Sequence, residues 1–331
     1  MIKVHCFVSC VCEVIKKKEG VDHRPYYFGV WDADFDVTED HILTYHSPNI
    51  DHDFFKEWYE RLYGIKMYQW YDKSETKEQN IMRLLHLIEN KQEERSIMVM
   101  LDLSELPERK NKFHQKPFPH YVMIEQTEDA DKWLMFDPDF RWEGVLEKER
   151  ILEAIREPSV EGGYYFDTDH LRVPDDEVIQ AYFNTCLKLK TNPLTDAIAN
   201  IIHCYSTGEK KESRKRLTEA LKQIPVLAIR KYAYEHAFAY FWIHLGKEED
   251  EFEAWCDEIE HLVNGFTTLQ YQAMRYALTG KSPDLTLVLS QLKALHQKEF
   301  KIKLGLQQVY DEWSQKKVRS DNEPNQQVQL T

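Results

Sequence analysis

A thiol becomes a useful nucleophile when an imidazole can hold its proton and a carboxylate can hold the imidazole. Cys6, His120 and Asp137 are residue types able to fill those three places. Cys6 opens a run in which Phe7, Val8, Val11, Val14 and Ile15 recur near helical spacing before Gly20, which puts it at a helix start. Unpaired N–H groups and the helix dipole at that end favour thiolate over thiol. The effect fades by Cys10 and Cys12, which read as small core residues. His120 begins an apolar run, and a second run ends at Phe136-Asp137-Pro138 after the polar turn Glu128 to Asp131. If Thr127 pairs with Lys132 the two runs form a hairpin, with His120 and Asp137 within one diagonal step of each other. Asp137 is the preferred orienting residue, with Asp139 the alternative while the register is only inferred. Singly, these residues have ordinary readings: a buried cysteine, a satisfied histidine, an Asp-Pro turn. Together they form an arrangement that packing does not require.

The elements that must position them follow from periodicity. Segments 53 to 63 and 75 to 92 read as amphipathic helices, the second opened by Ser74. Ile97 to Leu103, His120 to Gln126, Trp133 to Phe136 and Tyr164 to Phe166 read as strands. From Asp176 helical periodicity takes over to about residue 317, with breaks at Asn192-Pro193, Gly208, Pro225, Gly246, Gly265 and Gly280 to Pro283. The expected class is α+β: a domain over 1–173, a helical domain over 174–317, and a polar tail over 318–331 with little to bury.

Composition narrows the function classes. A formal net charge of -14 opposes a general affinity for nucleic acid and suits a cationic substrate. Six cysteines in 331 residues do not make a disulfide framework, and a reducing, cytoplasmic setting is expected. His5 and Glu13 interrupt the apolar start, no signal cleavage site follows, and no run is long enough to span a membrane. The spacing of His5, Cys6, Cys10 and Cys12 fits no usual zinc pattern, so no metal is expected. No glycine-rich nucleotide loop is present.

The His5-Cys6-Phe7 segment, the Tyr26-Tyr27-Phe28-Gly29 loop and the pairing of His120-Tyr-Val with Phe136-Asp137-Pro138 resemble the papain-fold acyltransferases typified by the butirosin biosynthesis enzyme. That resemblance covers about the first 170 residues. The whole chain is similar to the siderophore-biosynthesis transferases of the petrobactin type. These resemblances imply a papain-like domain followed by an all-helical one, with Cys6 as nucleophile, His120 as base and Asp137 as orienting residue. They imply transfer of a 3,4-dihydroxybenzoyl group from the phosphopantetheine thioester of an aryl carrier protein to spermidine, with no cofactor held by the chain itself. The papain pattern's glutamine, several residues before the cysteine, has no counterpart here, which leaves the oxyanion donors unassigned.

Carboxylates would receive a polyamine, and Asp32, Asp34, Asp36 and Asp102 are candidates; Phe28 and Trp31 could stack on an aromatic acyl group. The basic stretch Glu108 to Lys116, with Arg109, Lys110, Lys112, His114 and Lys116, would suit an acidic carrier protein, or is simply solvated. Two rival readings stand beside transfer: hydrolysis by the same residues, and a helical interaction protein without chemistry.

Overall fold

The apolar stripe that begins at Cys6 folds as helix α1 (Cys6–Lys16), with Phe7, Val8, Val11 and Ile15 fully buried. Burial of each such side chain contributes roughly 1.5–3 kcal/mol, so α1 is fixed by its packed face rather than by helix propensity. The structure, a computed structural model, describes residues 4–322 except 111, 113, 114 and 209. In chain order the elements after α1 are β1 (Asp36–Val37), β2 (Leu43–Thr44), α2 (Asp53–Tyr63), β3 (Tyr68–Gln69), α3 (Lys77–Glu89), β4 (Arg95–Asp102), β5 (Pro119–Gln126), β6 (Lys132–Asp137), β7 (Trp142–Glu147), α4 (Lys148–Arg156) and β8 (Gly163–Asp167). Seven helices follow: α5 (Asp176–Cys186), α6 (Pro193–Ser206), α7 (Leu217–Ala220), α8 (Ile224–Ala228), α9 (Ala233–Leu245), α10 (Glu249–Thr279) and α11 (Ser282–Asn322). The class is mixed α and β, a sheet region followed by a helical region.

Two compact units divide the chain. Residues 1–26 and 51–178 form the first; 27–50 and 179–331 form the second. Tyr27 to Ile50 clusters with the helices of the second unit. Its aromatic side chains find their apolar partners there.

The first unit is built on a six-stranded antiparallel sheet of order β3-β8-β4-β5-β6-β7. Helix α1 lies along β5, and the Cys10 thiol donates to the Tyr121 carbonyl across that contact. A cluster of Ile97, Val99, Leu101, Val122, Ile124, Trp133 and Met135 from three adjacent strands packs with Ile81, Leu84 and Ile88 of α3 and Ile151 and Ile155 of α4. This explains why β5 is buried along nearly its whole length. Residues 142–147 lacked strand character in sequence, because an edge strand with alternating exposure needs few apolar residues. The start of α3 also shifts: Thr76 and Gln79 form a reciprocal capping box, while Ser74 bonds Asp72.

In the second unit α10 runs unbroken through Gly265, where a stop was expected. A Cβ at that position would stand 2.5 Å from Leu295 Cδ2, so the glycine lets α11 approach closely and does not end the helix. Helix α11 extends to Asn322, so 318–322 are helical where a tail was expected; 323–331 lie outside the described residues. Among the described residues no helix is long and apolar enough to cross a membrane.

Candidate active site

The β5–β6 register pairs Met123 with Phe136 and Gln126 with Trp133. Extending it one residue sets Asp137 across from Val122, one diagonal step from His120 and on the same face of the sheet. The side chains meet: His120 Nε2 lies 2.9 Å from Asp137 Oδ1, with both residues buried. The Phe140 N–H also donates to Asp137 Oδ1, at 3.2 Å, and the Phe140 ring packs 5.0 Å from the imidazole. Cys6 is the other hydrogen-bond partner of His120. With Nε2 on Asp137, Nδ1 is the nitrogen left for sulfur.

Burial of the imidazole opposes its charging. The Asp137 carboxylate and a Cys6 thiolate outweigh burial, and His120 is pushed up to about 10. Asp137 shows the complementary effect: burial would raise it, but His120 and Arg109 hold it below the usual carboxylate range. Cys6 is half-buried and Cys10 fully buried. Burial, with Cys6 beside it, drives the Cys10 thiol far up, so Cys10 stays protonated and serves as a hydrogen-bond donor. The arrangement can hold a thiolate–imidazolium pair at a helix N-terminus.

Asp139 does a separate job from Asp137. His5, the residue before α1, makes no side-chain cap. Asp139 Oδ1 instead accepts from the N–H groups of Val4 and His5 at 3.1 and 3.2 Å and from the Ser9 hydroxyl at 2.9 Å. One carboxylate thus holds the imidazole and the other holds the segment bearing Cys6, with Pro138 between them. Sequence reasoning weighed Asp139 only as a rival to Asp137. The available signal was the helix start itself, whose orphan N–H groups need an acceptor that His5 does not supply.

Family models for a DUF6005 N-terminal domain and a DUF6005 C-terminal domain match residues 1–171 and 177–327. The chain belongs to the DUF6005 family. It is 47% identical over 316 residues, 96% of this chain and 97% of the relative, to the petrobactin synthase of Bacillus anthracis.

In this DUF6005 chain the residues expected to bind substrate have other occupations. Asp102 is fully buried and accepts from Ser104 N–H and hydroxyl, Phe118 N–H and the Ser159 hydroxyl. Burial alone would raise it; those bonds hold it low, and it ties together the segments that carry Ser104, Phe118 and Ser159. Phe28 packs among Tyr182, Phe183 and Phe241, and Trp31 stacks on Tyr234 at 4.8 Å while its indole N–H donates to the Cys186 carbonyl. Both are core residues of the second unit because their ring faces are already covered.

Asp32 is neutralised: its two oxygens pair with Lys231 at 2.8 Å and Lys303 at 2.9 Å, and Lys231 also meets Glu299 at 2.6 Å. Asp34 is exposed, and Asp36 accepts from Ser47 and Asn49. The basic stretch is largely consumed as well. Arg109 turns inward onto Asp137, Lys112 lies over the Phe118 and Phe140 rings, and Lys116 pairs with Glu105 and Glu157. Lys110 is exposed, and His114 lies outside the described residues. Arg109 went unrecognised, since its one distinguishing signal was being the arginine of the run, the residue type suited to a buried ion pair. Among the described residues no three or more His, Cys, Asp or Glu side chains converge as a metal ion would need.

Proposed function

We propose that this chain is a papain-like N-acyltransferase of petrobactin-type siderophore assembly. It takes a 3,4-dihydroxybenzoyl group from the phosphopantetheine thioester of an aryl carrier protein and delivers it to an amine of spermidine. The observation that carries the reading is the hydrogen-bonded series Cys6–His120–Asp137 at the start of α1. The 47% identity to a petrobactin synthase supplies the pathway.

In this reading the Cys6 thiolate attacks the thioester carbonyl. The first-turn N–H groups of α1 from Cys6 onward have no intrahelical acceptor and are the candidate oxyanion donors. The C–S bond to the carrier breaks, and its sulfur leaves with the proton from the His120 imidazolium. A spermidine amine then attacks the acyl-enzyme, His120 takes the amine proton, and collapse to the amide releases Cys6 as thiolate. Asp137 keeps the imidazole oriented throughout.

The test is intact-protein mass spectrometry after mixing the chain with dihydroxybenzoyl-loaded carrier protein, with and without spermidine. The expected result is an acyl mass on Cys6, absent in Cys6→Ala, that passes into a new amide when spermidine is added. Free acid formed at the same rate with or without amine would make the protein a hydrolase. No adduct from any loaded carrier would leave the site without this chemistry.

A further inference from the structure

Asp137 has a second partner besides His120. Its Oδ2 lies 2.7 Å from Arg109 Nη2, and the two side chains are 0% and 5% exposed. The guanidinium is walled by aromatic rings, with its carbon 5.3 Å from the Phe140 centroid and 4.8 Å from that of Trp142. Its Nη1 is buried and makes no hydrogen bond among the described residues, which leaves Asp137 as the anion that compensates it. A guanidinium so enclosed would cost several kcal/mol without a carboxylate, so the ion pair is an obligatory unit.

We propose that Arg109 is a positioning residue of the Cys6–His120 pair: it offsets part of the charge of Asp137, so that His120 bonds a weaker anion than a bare carboxylate. The inference rests on the nucleophilic reading of Cys6 given above. Papain-type thiol sites commonly place a neutral asparagine third. An aspartate paired with a buried arginine lies between that case and a bare carboxylate.

The consequence lies in how firmly the imidazole keeps its proton. A bare carboxylate 2.9 Å away would hold the imidazolium tightly and resist giving the proton to the departing thiol. Compensation by Arg109 weakens that hold while leaving the geometry in place. Among the described residues the other titratable or charged groups named around this point are Cys6, Cys10, Asp139 and Glu13, with Lys112 over the Phe140 ring and Lys17 over the Phe136 ring. None of them pairs with Asp137.

The test titrates the His120 ring by NMR in full-length protein carrying Cys6→Ser, which removes the thiolate and makes the result independent of acyl transfer. Arg109→Met should move the titration up by about one pH unit, the size typical for uncovering a neighbouring charge. Asp137→Asn should move it down, because the unpaired guanidinium then opposes the imidazolium. The double variant Arg109→Met/Asp137→Asn should titrate above Asp137→Asn alone, and Arg109→Lys, which keeps the charge, should stay within about half a pH unit of the parent. An Arg109→Met titration unchanged from the parent, or a double variant coinciding with Asp137→Asn alone, overturns the proposal. The Arg109→Met arm stands alone if Asp137→Asn does not fold.

Discussion

Each unit of this protein buries a set of ion pairs, and the two sets are closed in different ways. In the second unit Asp32, Lys231, Glu299 and Lys303 are all at most 4% exposed at the side chain. Further bonds run from Lys231 to the Trp31 carbonyl, from Tyr234 to Glu299 and from Lys303 to the Thr191 carbonyl. Two cations meet two anions, and the cluster ends on backbone. In the first unit Arg109, Asp137 and His120 form a similar chain, but it ends on a half-buried thiol. Perturbed ionisation marks both regions, and only one ends on a group able to form a covalent bond. Burial and charge coupling alone do not identify a site.

The comparison breaks most directly at the thiol. Cys6→Ala should lower acyl transfer by about 10³-fold or more and leave thermal stability nearly unchanged, since Cys6 is only half-buried and alanine suits a helix; substantial residual turnover would sink the nucleophilic role. Lys231→Met should show the opposite profile. It leaves Glu299 without a cation and Asp32 with Lys303 alone, and chemical denaturation should read a loss of about 3–5 kcal/mol. A loss under about 1 kcal/mol would mean that the cluster is solvated.

The histidine sharpens the contrast through pH. Because His120 is raised to about 10 in the folded protein, its imidazolium contributes stability in full below the unfolded value near 6.5. That contribution is lost as pH rises through about 10. Denaturation midpoints of the wild type and His120→Gln should therefore converge between those values, and parallel curves would contradict a charged His120. Asp139→Asn should cost about 1–2 kcal/mol, because an amide oxygen accepts more weakly from the N–H groups of Val4 and His5. The same change should slow acylation of Cys6 in a single-turnover assay. Asp34→Ala should shift stability by no more than about 0.5 kcal/mol and leave spermidine saturation unchanged, because the side chain is exposed and its neighbours hold only its carbonyl.

The hairpin was legible because its register depends on local pattern. Two apolar runs and a five-residue polar link leave little freedom, and a one-residue slip would turn His120 and Asp137 to opposite faces. The ion pairing of Asp32 was not legible for the converse reason. An acidic loop residue reads as solvent-facing unless its counter-ions are visible, and Lys231 and Lys303 lie roughly 200 and 270 positions away in sequence. Phe28 and Trp31 share that origin: their partners on α5 and α9 are remote in the chain. Gly265 was read as a helix break because one sequence cannot separate a glycine that ends a helix from one that admits a neighbouring helix.

The turn Asp137-Pro138-Asp139 works as a common mount. The base hangs from one side of it and the extended entry into α1, which carries Cys6, from the other. When the sheet flexes, both loads travel with the same three residues, so the gap between sulfur and imidazole is insulated from motions that carry the sheet as a whole. An insertion that lengthened this turn by one residue would detune that gap without touching either reactive side chain, much as a shim displaces two parts bolted to one bracket.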